Sequence, residues 1–116
     1  MPVDFDSWKT QVRKGYLELC ILRLIQAHRR LYGFDLLEKL AALGLPLKEG
    51  TLYPMLNRMT QEKTLQSVWE TENLKGHPRK FYSLTRDGAR LLSGMEEEFE
   101  TMVSIFRSVQ KTKEKA

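Results

Sequence analysis

Two stretches of this chain bring together side chains that could meet an anion or the edge of a base: 48-KEGTLYPMLNR-58 and 75-KGHPRK-80. In the first, Lys48 is a point charge suited to phosphate, Asn57 an amide able to read a base edge, and Arg58 a guanidinium suited to phosphate or guanine. Tyr53 adds a hydroxyl for the sugar–phosphate backbone. In the second, Lys75, Arg79 and Lys80 surround Gly76, His77 and Pro78, with no acid between Lys75 and Lys80. Such a cluster at a turn concentrates positive potential on phosphates, although a solvated loop has the same composition. Neither stretch suggests catalysis. His28 and His77 fall in different elements, Cys20 sits within an apolar run, and no HExxH or phosphate-cradling glycine loop occurs. No catalytic residue, metal site or cofactor is therefore expected, and Glu96, Glu97, Glu98 and Glu100 form a solvated acidic face.

The whole chain is compatible with a binding role. Its 116 residues suffice for one domain with a modest core, and 41% hydrophobic with 29% charged residues fits a folded globular protein. The net charge of +4 is mild, so the location of the cations matters more than their sum. One cysteine excludes an intrachain disulfide. The N-terminal MPVDFDSWK has no secretory apolar segment, and the apolar run from Leu19 to Leu22 is too short for a membrane span. A reducing cytoplasm is the expected location, with no membrane partner.

Periodicity supplies the scaffold. Phe5, Trp8, Val12, Tyr16 and Leu19 recur every three or four positions, joined by Leu17, Cys20, Ile21, Leu24 and Ile25, and predict one helix from about Phe5 to His28. Tyr32-Gly33 breaks the pattern before a shorter helix that stops at Gly44, with Pro46 beyond it. A third helix spans 49-EGTLYPMLNRM-59 and ends near Lys63. The period then becomes alternating: strands are expected over Leu65–Thr71 and Lys80–Thr85, around the turn 72-ENLKGHPR-79. Thr85 offers an N-cap and Asp87 a favourable first-turn charge for a last long helix. Along it Leu92, Met95, Phe99, Met102, Phe106 and Val109 follow a heptad seam. A second copy of the chain would cover that seam together with Phe5, Trp8 and Val12; an end folded back on its own domain is the alternative.

The expected fold class is mainly α with a small β-hairpin: a winged helix-turn-helix plus a long C-terminal dimerisation helix. Residues 1–85 form the winged-helix unit, with 1–14 also reaching the dimer interface; 86–110 form the dimerisation helix, and 111–116 a disordered tail. In this layout the third helix enters the major groove and the hairpin reaches an adjacent groove or phosphate. At about 100° per residue, Leu52, Met55, Leu56 and Met59 fall on the core face of that helix. Gly50, Pro54, Asn57 and Gln61 then face outward, with Tyr53 and Arg58 on the flanks. A glycine and an opening-turn proline on the outer face let backbone approach a surface closely; tight packing and a fixed helix start explain the same pair.

Four segments carry a family likeness: 14-KGYLELCILRLI-25, 32-YGFDLLEKL-40, 50-GTLYPMLNRM-59 and 76-GHPRKFYSLTRDGARLL-92. Over nearly its full length the chain resembles PadR-like transcriptional regulators, specifically the short subgroup with a single C-terminal dimerisation helix. The resemblance implies a homodimer that binds double-stranded DNA at a near-palindromic operator and usually represses. It implies that Thr51, Tyr53, Gly76, Arg79 and Lys80 face DNA. Some short relatives stack flat drugs on a tryptophan of the last helix; the matching position here holds Phe99, and His77 stands where the wing often has Arg. A small aromatic or hydrophobic effector would have Trp8, Val12, Met95, Phe99 and Met102 as lining, although Met and aromatic stripes at helical spacing are more often plain dimer packing. A winged-helix protein adaptor without sequence-specific DNA binding is the competing function.

Overall fold

The Asp4 carboxylate accepts from the Ser7 amide at 2.9 Å and starts the first helix, α1 (Phe5–His28). The computed structural model describes residues 4–71 and 77–115. Only the C-terminal half of α1 is buried, through Leu17, Ile21, Leu22 and Ile25. Arg29 then takes a left-handed φ of 68°, which ends the helix. The next two residues form β1 (Leu31–Tyr32), followed by α2 (Gly33–Ala42). The end of α2 satisfies its last carbonyls in a Schellman arrangement: Leu45 N–H reaches Leu40 and Gly44 N–H reaches Ala41, with Gly44 at φ +91°. Glycine at Gly44 is thus required by backbone geometry, as its place in the sequence suggests.

Helix α3 (Glu49–Gln61) buries Leu52, Leu56 and Met59. The expectation that Pro54 lies in an opening turn needs correction. It is the sixth residue of α3, so its missing N–H leaves the Gly50 carbonyl without its intrahelical donor. Strands β2 (Leu65–Glu70) and β3 (Arg79–Leu84) pair antiparallel, from Leu65↔Leu84 to Glu70↔Arg79. Sequence periodicity predicts a two-stranded hairpin; the sheet has three strands in the order β1-β3-β2, because Leu31 pairs Tyr82 and Tyr32 pairs Phe81. The turn residues Lys75 and Gly76 lie outside the described residues.

Thr85 locks the last helix, α4 (Arg86–Gln110), onto this base. Its hydroxyl lies 2.6 Å from the Lys63 carbonyl and accepts from Gly88 N–H at 2.9 Å, while its own N–H donates to Thr64 at 3.1 Å. A Cβ at Gly88 would collide with the Thr64 carbonyl oxygen, so the close approach requires glycine. One core joins all the helices and the sheet: Ile21, Leu22, Ile25, Leu36, Leu40, Leu52, Leu56, Leu65, Tyr82 and Leu92 are each at most 3% exposed. Leu92 therefore leaves the expected intersubunit seam. It is fully buried by its own chain and has no surface to offer a partner.

Met95 still packs against the core and Phe99 against Tyr16; beyond them α4 runs clear of it. The radius of gyration is 17.6 Å and the longest extent 68 Å, against roughly 13 Å for a compact chain of this length. Met102, Phe106 and Val109 are 51–60% exposed, and so are Ile105 on α4 and Phe5 and Trp8 on α1. No described helix is long and apolar enough to cross a membrane.

Candidate nucleic-acid interface

The burial of Leu52, Leu56 and Met59 turns Gly50, Thr51, Tyr53, Pro54, Asn57 and Arg58 of α3 outward, and each of these six is exposed. Lys48, the residue before the helix, is exposed as well and makes no side-chain cap hydrogen bond. The outer face of α3 is therefore free of bulk at Gly50 and Pro54, as the helical wheel predicts.

Tyr53 has a specific seat. Gly33, buried at the start of α2, lets the phenol ring lie across it: a Cβ there would fall 2.5 Å from the ring carbon Cε1 and from the hydroxyl. Burial raises the Tyr53 pKa above its ordinary value, with Glu49 and Tyr32 adding to the rise. The hydroxyl consequently keeps its proton, and stays a donor, throughout the neutral range. Tyr82 beneath it is raised for the same first reason, burial, with Tyr53 contributing. The role of Gly33 escaped sequence reasoning because its tyrosine partner lies twenty residues on.

Between this tyrosine and the hairpin runs a cleft of about 460 Å³, lined in part by Tyr53, Asn57, Trp69, Arg79 and Lys80. Its cations are held over rings. Arg79 lies 5.0 Å from the Tyr32 centroid, and Lys80 lies 5.8 Å from Trp69 and 5.7 Å from Tyr82. On the neighbouring sheet surface Arg30 sits 4.1 Å over Phe81 and pairs with Glu70 at 2.6 Å. Cation–π contacts orient these charges while leaving their outer faces to bind an anion. Arg79 and Lys80 are thus half-buried at the turn end of the hairpin, opposite Glu70 and Trp69. Trp69, 62% exposed and absent from the sequence-based candidates, belongs to the same cleft. The cross-strand pair Trp69↔Lys80 is the signal that would have found it. His77 is exposed at the edge of the described hairpin.

Arg58 stands apart from the rest. Its guanidinium contacts Glu62 at 2.8 Å and Glu18 of α1 at 3.3 Å. Two carboxylates compete for the group expected to reach phosphate or guanine, so its first role is to brace α3 against α1. Glu18 lies forty residues away, which is why the sequence showed no such tie.

The α1–α4 side is chemically different. A groove of about 620 Å³ is lined by Val12, Tyr16, Leu19, Met95, Phe99 and Met102, among others. Phe99 packs on Tyr16 of its own chain with centroids 5.8 Å apart, and Phe5 stacks on Trp8 at 5.9 Å. Val12, Met95, Phe99 and Met102 thus meet in one groove, whereas Trp8 does not line it. Among the described residues no cluster of His, Cys, Asp and Glu could hold a metal.

A helical core, a helix-turn-helix with its outer helix bare, and a hairpin beside that helix define a winged-helix domain. The chain belongs to the PadR-like transcriptional regulator family, whose model matches residues 21–94. Solved structures agree. A PadR family transcriptional regulator from Eggerthella lenta is 29% identical, with 93% of each chain covered and a TM-score of 0.81. A PadR-like transcription factor from Bacteroides fragilis is 35% identical over 89% of this chain and 98% of its own, with a TM-score of 0.75. A PadR-like regulator from Bacillus cereus is 30% identical over 89% and 99%, with a TM-score of 0.77. No curated protein matches the chain.

Proposed function

We propose that this protein is a homodimeric DNA-binding transcriptional repressor acting in the cytoplasm on a near-palindromic operator. The observation that carries the reading is the α3 surface: an outer face bare at Gly50 and Pro54, beside a cleft whose Arg79 and Lys80 are oriented over aromatic rings. In this reading α3 enters the major groove, Asn57 reads base edges, and Lys48, Thr51, Tyr53, Arg79 and Lys80 hold the backbone. Lys75, Gly76 and His77 complete the wing contact. Repression follows by occlusion of the operator.

The exposed apolar residues Phe5, Trp8, Val12, Met102, Phe106 and Val109 support a two-fold partner that covers them. Such a dimer would set its two α3 helices about one DNA turn, roughly 34 Å, apart. The α1–α4 groove supports a second element of the reading, a small aromatic or hydrophobic effector lodged beside Val12, Met95 and Met102. It would act only by favouring one separation of the α3 helices over another. The central test is selection of binding sites from a random DNA pool with the purified protein. Enrichment of an inverted repeat is the expected outcome; absence of any duplex binding at low salt would replace DNA recognition with a protein-adaptor role.

A further inference from the structure

A second groove borders α3 on the side away from the wing. It lies between α1 and α3, encloses about 580 Å³, and its lining includes Arg13, Lys14 and Glu18 of α1 with Thr51 and Arg58 of α3. Arg13 and Lys14 are exposed and, among the described residues, form no ion pair. The one acid in the lining, Glu18, is already met by Arg58 at 3.3 Å. The positive charge left to act on a ligand in this groove is therefore that of Arg13 and Lys14, with the Thr51 hydroxyl beside them.

The position of this groove follows from the helical wheel. At about 100° per residue, Thr51 and Arg58 lie within roughly 20° of each other, and Tyr53 lies roughly 160° from Thr51, across the outer face. Helix α3 thus has two flanks. Tyr53 borders the wing cleft with its Arg79 and Lys80, and Thr51 borders the groove with Arg13 and Lys14. A helix seated in a major groove about 12 Å wide is bounded on both sides by phosphate backbone. Cations on one flank alone would engage one strand.

We propose that Arg13 and Lys14 of α1 form a second phosphate-binding site, which holds the DNA strand opposite the one held at the wing cleft. This rests on the DNA-binding reading and adds α1 to the interface. The matching ligand is a run of backbone phosphates, because the two cations are adjacent in sequence on an exposed helix and the groove opens along α3. Neither residue belongs to the DNA contacts that the sequence suggests.

The test is the salt dependence of duplex binding by the full chain, followed by fluorescence anisotropy with a labelled duplex. Each phosphate contact contributes about 0.9 to the slope of log K against log salt. The double variant Arg13→Ala/Lys14→Ala should lower the wild-type slope by about 1.8 per protomer, with an unchanged thermal unfolding midpoint. The charge-preserving Arg13→Lys/Lys14→Arg should keep the wild-type slope, and so should Lys113→Ala/Lys115→Ala, which removes equal charge from the exposed C-terminal segment. A slope unchanged in Arg13→Ala/Lys14→Ala, or lowered as much in the C-terminal variant, overturns the site while the wild type still binds. Failure of the wild type itself to bind duplex overturns the underlying reading as well.

Discussion

The α3–wing side and the α1–α4 side both expose large side chains, yet they finish those side chains differently. Around the wing, Tyr32, Trp69, Phe81 and Tyr82 each lie near a guanidinium or ammonium group, at 4.1–5.8 Å. On the other side Trp8, Met102, Phe106 and Val109 stand 51–60% exposed, and among the described residues only Lys9 near Phe5, at 5.4 Å, offers a comparable contact. Rings capped by cations make a surface that is stable in water and attractive to anions. Uncapped apolar residues on two helices make a surface that gains by burial against another protein. The difference supports the proposed DNA contact on the first side and the proposed second protomer on the second.

Breaking the apolar side should have the largest effect. Phe106→Glu places a charge in the proposed interface of both protomers, and an uncompensated buried charge costs about 3–5 kcal/mol, or a factor of roughly 10²–10⁴ in affinity. Sedimentation equilibrium should find this variant monomeric where the wild type is dimeric; an equally dimeric variant would place the interface elsewhere. On the DNA side, Asn57→Ala should lose about 1–3 kcal/mol of discrimination between operator and non-operator duplex. Arg79→Ala should weaken both duplexes equally, so competition titrations separate reading from holding. Equal losses for the two variants on every sequence would remove Asn57 from the reading role.

A smaller effect tests the joint between the two sides. Thr85→Ala deletes the cap of α4 and its tie to Lys63, and helix caps are worth about 1 kcal/mol. Thermal unfolding should shift down by about 4 °C, with the dimer retained at low temperature. The smallest effect is that of pH. Burial raises the Tyr53 and Tyr82 pKa values in the folded chain, so the unfolded chain releases these protons first, at the ordinary tyrosine value of about 10. Their contribution is fully present below that pH and is lost as pH rises through the folded values. The unfolding midpoint should therefore be insensitive to these tyrosines near neutrality and fall above about pH 10, a decline lessened in Tyr53→Phe.

The elements that depend on neighbouring residues were legible in the sequence. Gly44 ends α2, Thr85 opens α4, and the Leu52/Leu56/Met59 stripe orients α3, because caps and helical periodicity are local. What escaped depends on distant partners. β1 is two residues long and is a strand only through Tyr82 and Phe81. Arg58 has the composition of a phosphate ligand, but Glu18 comes to it through the packing of α1 on α3. The heptad seam of α4 carries no mark of where its own core ends. Leu92 and Met102 obey one spacing, yet the first is buried and the second is open.

Sedimentation velocity of the purified protein with a fluorescent duplex carrying the selected inverted repeat, at low salt, addresses both sides together. Two protomers per duplex, with binding lost on raising the salt, is the expected result. A monomer that leaves the duplex sedimenting as free DNA would contradict it.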